Sequence, residues 1–75
     1  MKTTLDKLKK GEGAIVKKIN TKKDIKRRLL DIGFTDETKI ECVLISPSGN
    51  PKAYYVRGAL IAIREEDAKL IEVEI

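Results

Sequence analysis

With 75 residues, the chain is long enough for one domain and too short to enclose a deep catalytic pocket within one copy. Its 41% hydrophobic and 37% charged residues exclude the disordered class, which combines low hydrophobicity with high net charge. No stretch approaches the roughly 20 apolar residues of a membrane-spanning helix, and the N-terminus lacks the apolar segment of a secretory signal, so we expect a domain that does not cross a bilayer.

Charge is distributed unevenly along the chain, whose formal net charge is +4. Residues 1–35 hold 11 Lys or Arg and four Asp or Glu (net +7), whereas residues 36–75 hold five and eight (net −3). A basic half can attract an anionic partner, but it can equally be a solvated face. The basic excess consists of Lys7, Lys9, Lys10, Lys17, Lys18, Lys22, Lys23, Lys26, Arg27 and Arg28.

The first predicted element is a short helical turn, which Thr3 or Thr4 can cap and which places Leu5 and Leu8 on one face. A glycine-containing loop ends this turn. The β-branched residues that follow then predict a strand over 14–19.

The clearest predicted helix spans Lys22–Ile32. Thr21 and Asp24 resemble a capping box at its start. Gly33 is expected to end the helix in a left-handed conformation, with Phe34 packing back on the last turn. An apolar stripe at positions i, i+4 and i+7 is formed by Ile25, Leu29 and Ile32.

A second strand is predicted over Lys39–Ile45, apolar on both faces after Glu41, and the Pro- and Gly-containing segment Ser46–Pro51 is a loop. Strands over 53–57 and 60–64 are joined by a turn in which Gly58 takes a positive φ.

A short acidic helical turn over 65–69 and a final strand over 70–75 complete the chain. We therefore predict one domain over residues 1–75 with a mostly β fold. It is a small barrel of about five strands, with one helix and short helical turns near both ends.

The order of these segments resembles the FeoA family of bacterial ferrous iron uptake. The helix end Arg28–Phe34 is similar to that family's RL-x-x-Met-Gly-Leu segment, and Pro47–Pro51 is similar to its Pro-x-Gly-Asp-Pro loop. Leu60–Ala68 resembles its L-A-L-R-x-x-E-A segment, and the opening Leu5-x-x-Leu8-x-x-Gly11 is similar too. The resemblance covers nearly the whole chain.

This resemblance implies an SH3-like barrel that acts in the cytoplasm as an adaptor for FeoB, a membrane permease with a GTP-binding domain. Two residues depart from the family pattern. Glu37 replaces a usual Gly, so we expect that turn to adopt a conformation that tolerates Cβ. Asn50 replaces a usual Asp, which keeps the turn-forming ability but removes the charge.

Candidate partner-binding residues lie in a loop, in a strand and on a helix. Loops on rigid scaffolds often carry binding, although a plain strand connector explains this loop equally well. The candidates are the loop residues Pro47, Ser48, Gly49, Asn50 and Pro51, the outward-facing one of Tyr54 and Tyr55, and the basic residues Lys22, Lys23, Lys26 and Arg27. Gly33, Phe34 and Gly58 are assigned structural roles.

The composition argues against an enzyme, a cofactor or a metal site, despite the iron in the family's name. The chain has no His and one cysteine, Cys42, which alternates with apolar residues and is interpreted as a buried hydrophobe. A single thiol also fits a reducing compartment. The carboxylates of Glu65, Glu66 and Asp67 are accounted for by the start of a helical turn.

Nucleic-acid binding is the alternative function, because the pI is about 9.3 and the first half of the chain is basic. Binding of single strands uses aromatic stacking. Tyr54 and Tyr55 are neighbours in a strand and so point to opposite faces, and Phe34 is committed to the helix end. The sequence therefore favours the adaptor role.

Overall fold

A computed structural model describes residues 1–35 and 37–75. Within them, six antiparallel strands form one sheet: β1 (Lys2–Thr4), β2 (Gly13–Ile19), β3 (Lys39–Ile45), β4 (Lys52–Val56), β5 (Ala59–Ile63) and β6 (Ile71–Glu74). A 3-10 turn (Leu5–Lys7) and two helices, α1 (Lys23–Asp31) and α2 (Glu65–Ala68), connect them. The predicted mostly β fold, with one main helix and short helical turns near both ends, is confirmed.

The strands are ordered β1-β6-β2-β3-β4-β5, so β1 and β5 are the two ends of the sheet. Strand β1 was missing from the sequence prediction because three residues are too few to show a period of two. It pairs with the last strand, with Thr3 opposite Val73. The final strand ends at Glu74 rather than at Ile75, whose side chain is 48% exposed.

The core is mainly aliphatic, as the composition requires. Strands β2, β3, β4 and β6 each contribute two or more residues to it. Among the described residues, β5 contributes only Ile63 and α1 only Leu29. Its members are Leu5, Leu8, Ala14, Val16, Ile19, Leu29, Phe34, Ile40, Cys42, Tyr54, Val56, Ile63, Ala68, Ile71 and Val73.

The end of α1 is as predicted. Gly33 has a φ of +93°, and its N–H donates to the Leu30 carbonyl at 3.0 Å. The N–H of Phe34 donates to the Leu29 carbonyl at 2.9 Å, which completes a Schellman motif. Phe34 is fully buried. Gly33 and Phe34 thus form the end of the helix through their backbone conformation and hydrogen bonds.

The start of α1 differs from the prediction. The helix begins at Lys23 with Lys22 as its N-cap, and no side chain caps it. The proposed capping box of Thr21 and Asp24 is therefore wrong. The Thr21 hydroxyl is buried and has no hydrogen-bond partner among the described residues, because the preceding strand carries that residue into the interior.

Strand β3 is apolar on both faces, but only one face is buried. The pairing of β3 with β4 shifts between Cys42 and Leu44, and this irregularity displaces the alternation by one residue. Leu44, which simple alternation with Ile40 and Cys42 would bury, is consequently 52% exposed.

Among residues 1–35 and 37–75, two non-glycine residues have a backbone in the left-handed region. Glu37 has a φ of +65°, so the expectation that its turn tolerates Cβ freely is wrong: the backbone keeps the conformation that glycine favours. Arg57 has a φ of +47° and precedes Gly58 at +85°. These two form a two-residue hairpin loop, and Ala59, predicted in the turn, instead pairs with Val56 in the sheet.

Candidate interaction surface

The Ser46–Pro51 loop is exposed but held in place. The Gly49 N–H donates to the Ser46 carbonyl at 2.8 Å, and the Ser48 hydroxyl donates to the Asn50 carbonyl at 2.9 Å. The side-chain oxygen of Asn50 accepts the N–H of Glu65, the first residue of α2, at 3.0 Å. Asn50 thus satisfies a free donor at a helix start, which explains how an amide can stand in place of a carboxylate here.

A small cavity of about 150 Å³ lies under this loop. The Lys52 ammonium beside it donates to the carbonyl oxygens of Asp6 and Leu8 at 2.7 and 3.0 Å, so it anchors the N-terminal turn. These contacts within the fold give Lys52 a structural role at the edge of the cavity. Its lining residues are Asp6, Gly49, Asn50, Lys52, Tyr54, Ile63 and Glu65.

The two neighbouring tyrosines point to opposite faces of β4, as predicted. Tyr54 is fully buried, and its hydroxyl donates to the Leu5 carbonyl at 3.4 Å. Burial raises the pKa of Tyr54 far above its usual range. Tyr55 is 51% exposed. Of this pair only Tyr55 can contact a partner.

Tyr55 belongs to an apolar row that the sequence prediction missed. Across three neighbouring strands it lies between Glu41 and Leu60, and Leu60 is 59% exposed. The next row on this face consists of Leu44, Ala53 and Ala62. The pairing register and the β3 irregularity create this surface, and neither can be inferred from alternation within a single strand.

The basic residues Lys23, Lys26 and Arg27 are exposed on α1, as are Arg28 and the N-cap residue Lys22. None of them forms an ion pair within 4.0 Å in the described part of the chain. The ammonium of Lys17, on β2, instead lies 2.9 Å from Glu37 and 3.7 Å from Glu74. The exposed positive charge of α1 is therefore available to an external group.

A groove of about 360 Å³ separates α1 from β5. The apolar stripe of α1 is only partly used by the core, since Leu29 is buried, Ile25 is half-buried and Ile32 is 41% exposed. The groove is lined by Ile25, Arg28, Leu29, Ile32, Ile61, Ala62, Ile63, Arg64 and Asp67. The start of α2 borders both features. Glu65 lines the cavity under the loop, and Arg64 and Asp67 line the groove beside α1.

Groups suited to catalysis or metal binding do not converge in the part of the chain that the structure covers. Cys42 is buried, and burial raises the pKa of its thiol. Among residues 1–35 and 37–75, no three His, Cys, Asp or Glu residues lie together as a metal site requires. The helices in the same ranges are too short and too polar to span a membrane.

Comparison with protein families shows that the family model of the FeoA domain matches residues 3–75. A Porphyromonas gingivalis protein described as a fusion of Fe(2+) transport protein A and the Fe(2+) transporter FeoB is 30% identical over 71 residues. The match covers 95% of this chain but only 8% of the fusion protein.

Solved structures of FeoA proteins share this fold. The solution structure of a FeoA protein from Chlorobium tepidum superposes with a TM-score of 0.94 at 30% identity, covering 97% of this chain and 70% of that one. The FeoA of Stenotrophomonas maltophilia gives a TM-score of 0.83 at 29% identity, covering 96% and 89%. That protein is described as a prokaryotic SH3 domain protein, complexed with zinc and suggested to activate ferrous iron transport. The fold is thus SH3-like.

Proposed function

The chain belongs to the FeoA domain family, and we propose that it is a non-enzymatic accessory protein of ferrous iron uptake. In this proposal it acts in the cytoplasm, docks on the GTP-binding domain of an FeoB-like permease and modulates the assembly or activity of that permease.

The observation that carries this proposal is the fusion protein. Its matching segment and a FeoB transporter occupy one polypeptide in Porphyromonas gingivalis. Covalent linkage keeps two modules at high effective concentration, which favours modules that act on each other. Where the two modules are not fused, the same encounter requires a docking surface.

The surface chemistry is consistent with an adaptor. The exposed candidates are the anchored loop, Tyr55 with its apolar row, and the unpaired cations of α1. Each can bind a protein surface without a bound cofactor. The nucleic-acid alternative gains no support, because Phe34 and Tyr54 are buried and Tyr55 alone offers an exposed ring.

Titration calorimetry against the cytoplasmic domain of the permease, loaded with GDP or with a non-hydrolysable GTP analogue, tests the proposal. We expect saturable binding with a dissociation constant in the range of about 1–50 μM, typical of a transient regulatory contact. Absence of binding in both nucleotide states would overturn it. A parallel titration with single-stranded DNA at low salt is expected to show no affinity.

A further inference from the structure

The two end strands of the sheet are protected to different degrees. Strand β1 has only three residues, Lys2–Thr4, and is polar. Strand β5 has five residues, Ala59–Ile63, all aliphatic, without the charge or proline that commonly blocks an edge. Such an edge is a template for pairing with another segment of chain.

The backbone of β5 has free hydrogen-bonding groups at this edge. Because a two-residue loop joins β4 and β5, Val56 and Ala59 form a hydrogen-bonded pair, and the pattern alternates from there. Leu60 and Ala62 therefore direct their N–H and C=O groups away from β4. No hydrogen bond among residues 1–35 and 37–75 uses these groups.

Helix α1 stands across the groove from this edge and supplies an apolar wall. Ile25 and Ile32 of its stripe line the groove and are not fully buried by the protein's own fold. An added strand lies about 4.8 Å from its neighbour and directs alternate side chains to each face. Those on the inner face would meet this apolar wall.

Charge distinguishes the possible occupants. Arg28, Arg64 and one carboxylate, Asp67, line the groove. Arg64 also lies 3.8 Å from the exposed carboxylate of Glu66, whereas Arg28 and the other cations of α1 are exposed and form no ion pair among the described residues. A second copy of this chain that paired through its own β5 is a poor occupant, because that strand is uncharged and offers no carboxylate to these arginines.

We propose that β5 and α1 form a receptor for an extended, acidic segment of a partner protein. The segment adds to the sheet as a seventh strand beside β5, places alternate apolar side chains against α1, and directs carboxylates to Arg28 and Arg64. This proposal concerns the receptor alone. It holds or fails separately from the identity of the permease as partner.

The test uses a synthetic seven-residue peptide in which Glu and Val alternate, added to the full chain uniformly labelled with ¹⁵N. We expect saturable shift changes and at least about tenfold slower hydrogen exchange at the amides of Leu60 and Ala62. The control peptides are the same sequence with Lys for Glu, and an N-methylated Glu–Val peptide that cannot pair with a strand.

Two sets of variants separate the backbone contribution from the charge contribution. Ala62→Pro removes an N–H that faces the free edge and leaves the bonds to β4 intact, so binding should fall at least about tenfold. The double change Arg28→Glu with Arg64→Glu should weaken the acidic peptide to the same degree and favour the Lys peptide. Lys69→Glu, an exposed residue outside the groove, is the matched control and should leave binding unchanged.

Several results would overturn the receptor. These are no protection of Leu60 and Ala62 at millimolar peptide, equal binding of the Lys or N-methylated peptide, or shifts confined to Tyr55 and Leu44 on the outer face. Self-association without peptide that Ala62→Pro abolishes would instead assign the edge to a second copy. If Ala62→Pro does not fold, the Arg28→Glu/Arg64→Glu variant and the N-methylated peptide still test whether the receptor exists. Peptide binding without permease binding would keep the receptor and reject the permease.

Discussion

The side chain of Arg57 lies directly against the Cα of Gly33 and so connects the β4–β5 hairpin to the end of α1. A Cβ atom at Gly33 would lie 2.8 Å from Cδ of Arg57, closer than packed carbon atoms approach. Both residues also have positive φ, at +93° and +47°. Two independent constraints therefore oppose a side chain at Gly33: its left-handed backbone, and the Arg57 side chain, which would have to move aside.

A double-mutant cycle separates these constraints. Gly33→Ala should lower the free energy of unfolding by about 1–2 kcal/mol or more, because the left-handed backbone and the contact with Arg57 both oppose Cβ. In the Arg57→Ala background only the backbone cost remains, so the loss should be smaller but not zero. Urea unfolding of the wild type, the two single variants and the double variant gives the four free energies of unfolding that the cycle needs. An equal loss in both backgrounds would contradict the contact, and no loss in either would contradict the left-handed helix end.

Features encoded within a few neighbouring residues could be predicted from the sequence. The helix end needs only Gly33 and Phe34 after an apolar turn, and the limits of β3 follow from its β-branched run. Features that depend on register could not. Leu44 is exposed because the β3–β4 pairing shifts beside it, and Leu60 joins Tyr55 only through a cross-strand pair. For this reason the apolar row and the groove were missing from the predicted site.

Glu37 combines an unfavourable backbone conformation with a favourable ion pair. Its carboxylate accepts two hydrogen bonds from the Lys17 ammonium, at 2.9 and 3.1 Å. Glu37→Gln removes the charge and keeps the strained φ, whereas Glu37→Gly removes both. We therefore expect Glu37→Gly to be more stable than Glu37→Gln by about 1 kcal/mol in urea unfolding. The reverse order would show that φ at Glu37 carries no cost.

The ion pair of Lys17 and Glu37 also predicts how the stability of the fold changes at alkaline pH. The hydrogen bond with Glu37 is the main reason that the pKa of Lys17 lies above its ordinary value of 10.5. A base with a raised folded-state pKa stabilises the fold below its unfolded pKa, and this contribution is lost as pH rises through the folded value. The wild type should therefore lose more stability than Glu37→Gln above about pH 10.5, and parallel curves would contradict the pair.

The buried thiol of Cys42 predicts a second loss of stability at alkaline pH, which arises from burial rather than from an ion pair. Burial raises the pKa of its thiol above 9.0, so the folded state holds the proton that the unfolded chain releases. Stability should consequently fall as pH rises beyond about 9, and Cys42→Ala should flatten this decline at the cost of some packing. Iodoacetamide provides an independent check. Rapid labelling of the native protein would contradict a buried thiol.

Asn50 fastens the candidate loop to α2 by accepting the N–H of Glu65. Asn50→Ala should cost about 1 kcal/mol, as loss of a cap does. Asn50→Asp should keep the bond as a carboxylate acceptor but make stability fall below about pH 4, because the new acid has a lowered folded-state pKa. Thermal unfolding across pH checks both. Ser48→Ala, which removes a bond within the loop only, is the control and should have the smaller effect.

Two buried threonines should respond in opposite directions to the same isosteric change. The Thr38 hydroxyl donates to the Gly33 carbonyl at 3.4 Å and lies 2.9 Å from the hydroxyl of Thr35, whereas the Thr21 hydroxyl is buried without a partner among the described residues. Thr38→Val should therefore cost about 1 kcal/mol, and Thr21→Val should be neutral or stabilising by up to about 1 kcal/mol. Equal losses in urea unfolding would show that Thr21 makes a bond of comparable strength, and the start of α1 would then be capped after all.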